Sequence, residues 1–312
     1  MSASRLIVLD LALLAVMILA SRLALVLHEV GGHALPARML GAGKVEVRLS
    51  PLGGGFVRPH FSIDRVPPPA GWAIFSLGGI ALNLLTGLGA WIWARRLRSR
   101  GLGYVALLFF SVGSVAGGLS YLACGFYYGS GDPVGFAPVT EDLRHVQWLW
   151  ILFVPLTAAV TWIGSRHFMD YLSGRWMLDL PRRRVAGFLA SVGVAALAYG
   201  GLWLALRDPL IEGSTRQWRL EQEVAKETLR RIEAQPAPTP EPPLPEVRPE
   251  EVADRLPSPA GPIILYATAV LAGLIGAARA APGPGNAPLS PPLAFGLALL
   301  AAVAVALFRI FG

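Results

Sequence analysis

The stretch ALVLHEVGGHALPARMLGAG, residues 24 to 43, closes a long apolar run with a histidine–glutamate pair, His28 and Glu29, and a second histidine, His33. The apolar run begins near residue 5, and roughly 20 such residues cross the hydrocarbon core of a bilayer. Three ionisable side chains therefore stand at the end of a membrane span, where they are costly to place. Residues four apart on an α-helix are separated by about 40° around its axis, but residues five apart by about 140°. A regular helix would send the imidazoles of His28 and His33 to different faces.

The rest of the chain has the same character. Of its 312 residues 54% are hydrophobic and 15% charged, and the mean hydropathy is +0.53, too apolar for an ordinary soluble domain. Six or seven spans are expected, near 5–27, 71–94, 104–124, 147–164, 185–206, 262–280 and 293–311. The fold class is thus an all-α polytopic membrane protein. Residues 1–22 are not read as a cleaved leader, because Asp10 interrupts the apolar region and no small-x-small site ends it. Asp10 lies about 27 Å along the helix from His28, too far to share a site with it, and is expected to face a neighbouring helix or the interface.

Lys44 and Lys226 are the only lysines, and arginines in particular loops supply nearly all the rest of the positive charge behind the net +7. That pattern speaks of topology and excludes nucleic acid, which would need a basic, aromatic-bearing soluble face. The single Cys124 excludes an intrachain disulfide or a multi-cysteine metal cluster and reads as a small packing residue.

Two segments leave the membrane pattern. In GAGKVEVRLSPLGGGFVRPHFS, residues 41–62, Val45, Val47 and Leu49 alternate with charged residues before a triple-glycine turn, which predicts a β-hairpin. Its free edge can take up an unfolded peptide as an added strand, with Gly54 and Gly55 as substrate-binding positions; a plain connecting hairpin reads equally well. STRQWRLEQEVAKETLRRIEAQ, 214–235, predicts one exposed helix, and the proline-rich stretch after it an extended linker. The organisation is a membrane core over 1–146, further spans over 147–206, the soluble helix and linker over 207–261, and two C-terminal spans over 262–312.

A metal-dependent hydrolase needs imidazole or carboxylate ligands, an open position for water, and a carboxylate that takes the water's proton. His28, His33 and Glu29 supply such groups. Gly31-Gly32 offers two ways around the spacing: a π-bulge that absorbs one residue, or a helix that ends at the glycines so that His33 arrives from a turn. Interfacial histidines beside a solvated glutamate are the plainer reading.

Taken in order, these features resemble the site-2 protease family of intramembrane zinc metalloproteases over roughly residues 20–140. HEVGGHA (28–34) is similar to that family's H-E-x-x-H with one residue added, the hairpin is similar to its membrane-associated hairpin, and SLGGIALNLLTG (76–87) to the start of its next core helix. The resemblance implies a third ligand at the end of the third core helix, where YYGSGDPVGFAP (127–138) offers Asp132 outside the family's Leu-Asp-Gly context. It further implies Zn2+ held by His28, His33 and Asp132, Glu29 as general base, and Asn83 close to the site or substrate. His60, Glu141, Asp142 and His145 are reserve ligands.

The expected function is zinc-dependent cleavage of membrane-protein substrates, single-pass proteins with a weak helix, within the lipid bilayer of a bacterial inner membrane. The alternative is a non-catalytic relative that binds or chaperones transmembrane segments, to which the five-residue spacing points. Arg-rich loops at 95–100 and 165–184 place the site toward the exterior, whereas the arginines of 38–65 and the resemblance favour the cytoplasmic side.

Overall fold

Alanine, leucine and isoleucine carry the first helix, and in a computed structural model it continues well past the apolar run. The structure describes residues 3–62, 64, 66–97, 101–135, 144–176, 180–206, 215–234, 246–281 and 291–311. Helix α1 (Ala3–Val26) passes into π-helical turns over Leu27–Ala34 and then into α2 (Leu35–Met39), forming one span over Ser4–Met39. A π-helix bonds i to i+5, so the five-residue step from His28 to His33 now returns to the same face. Of the two local geometries the sequence allows, the chain takes the π-helical one, spread over eight residues. Pro36, which lacks an N–H, cannot bond the carbonyl four residues back and leaves that of Gly32 unclaimed by it.

The described residues contain seven helices long and apolar enough to cross a membrane, as a multi-pass membrane protein requires. After the first come α3 (Pro69–Arg96) and α4 (Leu102–Tyr128), then the short α5 (Arg144–Gln147) and the long α6 (Trp150–Trp176). The fifth span joins α7 (Pro181–Phe188), a second π-helical segment over Leu189–Gly193 and α8 (Val194–Leu206). Outside the spans lie α9 (Thr215–Glu233) and α10 (Pro249–Val252), and α11 (Ala260–Ala278) and α12 (Pro291–Phe311) complete the bundle. A core of Leu13, Tyr104, Leu108, Phe168, Met169 and Leu172 joins α1, α4 and α6, and Cys124 packs with Ala123 and Leu265.

Helix α6 runs further than the expected fourth span. Arg166 and Arg175 lie on it and not in a loop, and Arg182, Arg183 and Arg184 belong to α7. Arg95 and Arg96 finish α3, while 98–100 and the proline-rich 235–245 lie outside the described residues. Asp10 is half-buried, and its Oδ1 has no partner among the described residues.

The hairpin consists of β1 (Lys44–Leu49) and β2 (Gly55–His60), antiparallel, with Lys44 opposite His60 and Leu49 opposite Gly55. The Ser50 N–H donates to the Gly54 carbonyl at 2.9 Å. Hydrogen-bonded pairs alternate along such a ladder, so Arg48/Phe56 and Glu46/Arg58 bond to each other. Gly55, Val57 and Pro59 then turn their backbone groups outward. Proline suits that position, since its missing N–H opens no gap in the ladder.

Glycine decides how closely α3 meets the first span. A Cβ added at Gly32 would lie 2.2 Å from the Gly79 Cα, and one at Gly78 only 2.1 Å from the Gly32 carbonyl oxygen. Backbone packs on backbone here, as small residues permit between membrane helices. Gly32→Ala is therefore expected to push the helices apart and destabilise the protein by about 1–3 kcal/mol, the usual cost of overpacking. Thermal unfolding in detergent measures it, and an unchanged midpoint would refute this packing.

Candidate metal centre

The same glycine contact sets the two histidines against α3. The His33 Nδ1 lies 2.5 Å from the Phe75 carbonyl oxygen. A carbonyl can only accept, so Nδ1 carries the N–H and the neutral ring keeps a lone pair on Nε2. His28 meets Asn83, whose amide lies 3.2 Å from its Nδ1. With the amide oxygen toward the ring, Asn83 accepts the Nδ1–H and the His28 Nε2 also presents a lone pair; in the opposite orientation Oδ1 is buried without a partner.

Asp132 arrives from the end of α4. Gly129 closes that helix in the left-handed conformation (φ 60°), and Gly131 takes φ 78° before the short 3-10 turn Asp132–Val134. The Asp132 N–H donates to the Tyr121 hydroxyl at 3.3 Å. Pro133 packs where a side chain at Gly125 would stand, 2.5 Å from its Cβ position. The glycines of GSGDP thus turn the chain back and aim the carboxylate at the histidines.

Three atoms converge. The Asp132 Oδ2 lies 3.1 Å from each Nε2, and the two Nε2 atoms are 3.2 Å apart. With lone pairs on both nitrogens and on the carboxylate, this triangle repels itself unless a cation lies against it. Ligands of a tetrahedral ion with bonds of about 2.0–2.1 Å stand about 3.3 Å apart, close to what is seen. A Cβ at Gly79 would come within 2.6 Å of both Nε2 atoms, so glycine there keeps the space open. His28, His33 and Asp132 can hold a metal ion.

Glu29, next to His28, is buried and has no hydrogen-bond partner among the described residues. It lines a cavity of about 1020 Å³ together with His28, His33, Asp132, Tyr121 and Asn83. Residues 53–59 border this cavity and β1 does not, so the outward edge of β2 faces it. Gly55 stands against Glu29, whose Cγ would be 3.0 Å from a Cβ there, and Gly54 has open space around it.

His60 and His145 are exposed, away from the cluster, and Glu141 and Asp142 lie outside the described residues. Helix α9 is not simply the exposed helix that the sequence predicts. Trp218 lines the cavity, its ring centroid 6.4 Å from that of Tyr121, and the buried Arg219 donates to the Gly129 carbonyl at 3.3 Å and pairs with Glu223 at 2.8 Å. Sequence reasoning missed Phe75, Tyr121, Trp218, Arg22 and Tyr199. Arg22 alone carried a signal, being a charge inside a span.

Comparison with protein-family models, curated proteins and solved structures gave no match. Asn83 stands behind His28 and sets its tautomer, and loss of such a group usually weakens metal binding 10- to 100-fold by a rough measure. Asn83→Ala is expected to show that loss in a chelator competition with divalent metal ions while the thermal midpoint without metal stays unchanged. Equal affinity in the variant would free His28 from Asn83.

Proposed function

We propose that this chain is a zinc-dependent intramembrane endopeptidase of the site-2 protease type, acting in a bacterial inner membrane. The observation that carries this reading is the meeting of three convergent ligands with an unengaged carboxylate, Glu29, beside the free edge of a strand. Two histidines and one carboxylate suit zinc, with a fourth position left for the reaction. Bound zinc supplies Lewis acidity toward a peptide carbonyl and an attacking water.

The chain's own groups do the remainder. Glu29 takes the proton from water and can pass it to the leaving amine, as a general base and acid does. Asn83 and the Phe75 carbonyl hold the imidazoles in one tautomer. The outward groups of Gly55 and Val57 pair with an extended substrate backbone and draw it past Glu29. A transmembrane helix hides its carbonyls in its own hydrogen bonds, so the substrate must unwind first. Single-pass proteins with a weak helix meet that demand.

The non-catalytic alternative drew on the five-residue spacing, and the π-helical turns remove that support. Purified protein is expected to carry about one zinc ion, as a mononuclear site does. His28→Ala with His33→Ala should lose it. Glu29→Gln should keep zinc and fold while cleavage of fluorescence-quenched casein falls at least about 100-fold, the order contributed by general-base catalysis. Cleavage by the Gln variant at the parent rate would sink the assignment.

A further inference from the structure

The turn of the hairpin lies deep among the helices. Ser50 is fully buried and Leu52 nearly so, packed with Ala15, Ile18 and Ala301. Backbone that is neither helix nor sheet survives at such depth only if other groups satisfy it. Arg22, 5% exposed, does so: its Nη1 donates to the Ser50 carbonyl at 2.6 Å and its Nη2 to the Gly53 carbonyl at 2.8 Å. The Tyr199 hydroxyl donates to the Leu52 carbonyl at 2.9 Å, and the Gly53 N–H to the Ser50 hydroxyl at 3.1 Å.

We propose that Arg22 is a positioning residue for substrate: its guanidinium grips the turn and fixes the register in which the outward edge of β2 meets a peptide beside Glu29. This rests on the peptidase reading. A guanidinium is a rigid fork that holds two acceptors at once, whereas an ammonium holds a point. Gripping carbonyls three residues apart, it stops the turn both from sliding and from rotating.

Register matters because outward groups recur only at every second residue. The backbone groups of Gly55 and Val57 turn outward, and those of Phe56 and Arg58 are bonded to β1. A slip of one residue, about 3.4 Å, would set Glu29 opposite a residue whose N–H and C=O are already engaged. The peptide would then lose its pairing at the place where water attacks. Arg22 also lines the cavity, but both guanidinium nitrogens Nη1 and Nη2 are held on the turn's carbonyls, so its influence on cleavage passes through the hairpin.

The test uses the full chain with zinc in detergent micelles. Spin labels at Arg48→Cys on the hairpin and Met39→Cys on α2, with Cys124→Ser, report the hairpin's seat. Arg22→Lys and Arg22→Gln should keep zinc but broaden the label-to-label distance distribution. In both, KM for fluorescence-quenched casein should rise about tenfold with kcat nearly unchanged, as loss of uniform binding demands. Lysine should be the milder of the two.

A narrow distribution and parental KM in either zinc-loaded variant would overturn the proposal. So would a fall in kcat alone, which would put Arg22 in the chemistry. If Arg22→Gln does not fold, Arg22→Lys and Tyr199→Phe decide by the same two readouts. If the zinc-loaded parent cleaves nothing, the peptidase reading fails, while the distance distributions still accept or reject Arg22 as the hairpin's anchor.

Discussion

The backbone contact between Gly32 and the Gly78–Gly79 pair is the constraint on which the rest hangs. Two helices can meet without side chains between them only where both present glycine. That closeness brings the Phe75 carbonyl to His33 and the Asn83 amide to His28. It also leaves a space at Gly79 that any side chain would fill. The π-helical turns belong to the same arrangement, since they bring the five-residue histidine pair onto one face of the helix that Gly32 packs. Helix distortion, the meeting of the two histidines and helix packing are here one fact seen from three sides.

A second constraint comes from the bilayer, which offers no water to unpaired backbone groups. The hairpin can reach into the bundle because Arg22 and Tyr199 serve its turn. The extramembrane α9 follows a related logic on the other side of the site. Arg219 serves the Gly129 carbonyl exposed by the helix end, and Trp218 covers Tyr121. The polar seams of the site are thus closed by residues far away in sequence.

Much of this was legible in the sequence. Seven helices long and apolar enough to cross a membrane overlap the six or seven expected spans, because length and hydropathy are written in the sequence, although the first and fourth run on further. The hairpin followed from alternation and glycine, and Asp132 from the family resemblance, which pointed to the end of the third span. Gly31-Gly32 pointed to a local irregularity, but two readings stayed open because glycine permits both. What sequence could not give is the partner of each site residue. Phe75 contributes a carbonyl, which every residue has, and Tyr121 is one of four tyrosines on α4, with nothing in the sequence to set it apart from the others. The fourth span was read short because Arg166 and His167 look like its end, whereas α6 carries them onward to Trp176. The buried face of α9 was hidden by its charge, since Arg219 and Glu223 neutralise each other at 2.8 Å.

The seat of the hairpin also bears on how the protein is made. The turn at Leu52 is packed by Tyr199 and Trp203 of the fifth span and by Leu297, Ala301 and Val305 of α12, while Phe308 lies 5.6 Å from the Arg22 guanidinium. At about 5–20 residues per second, synthesis from residue 60 to residue 308 takes on the order of 12–50 s. Throughout that interval the ribosome has delivered both histidines and the strand beside them, but not the helix that buries the turn. The nascent chain therefore passes through a stage with its hairpin unseated, and the enclosure is completed only when α12 has been made.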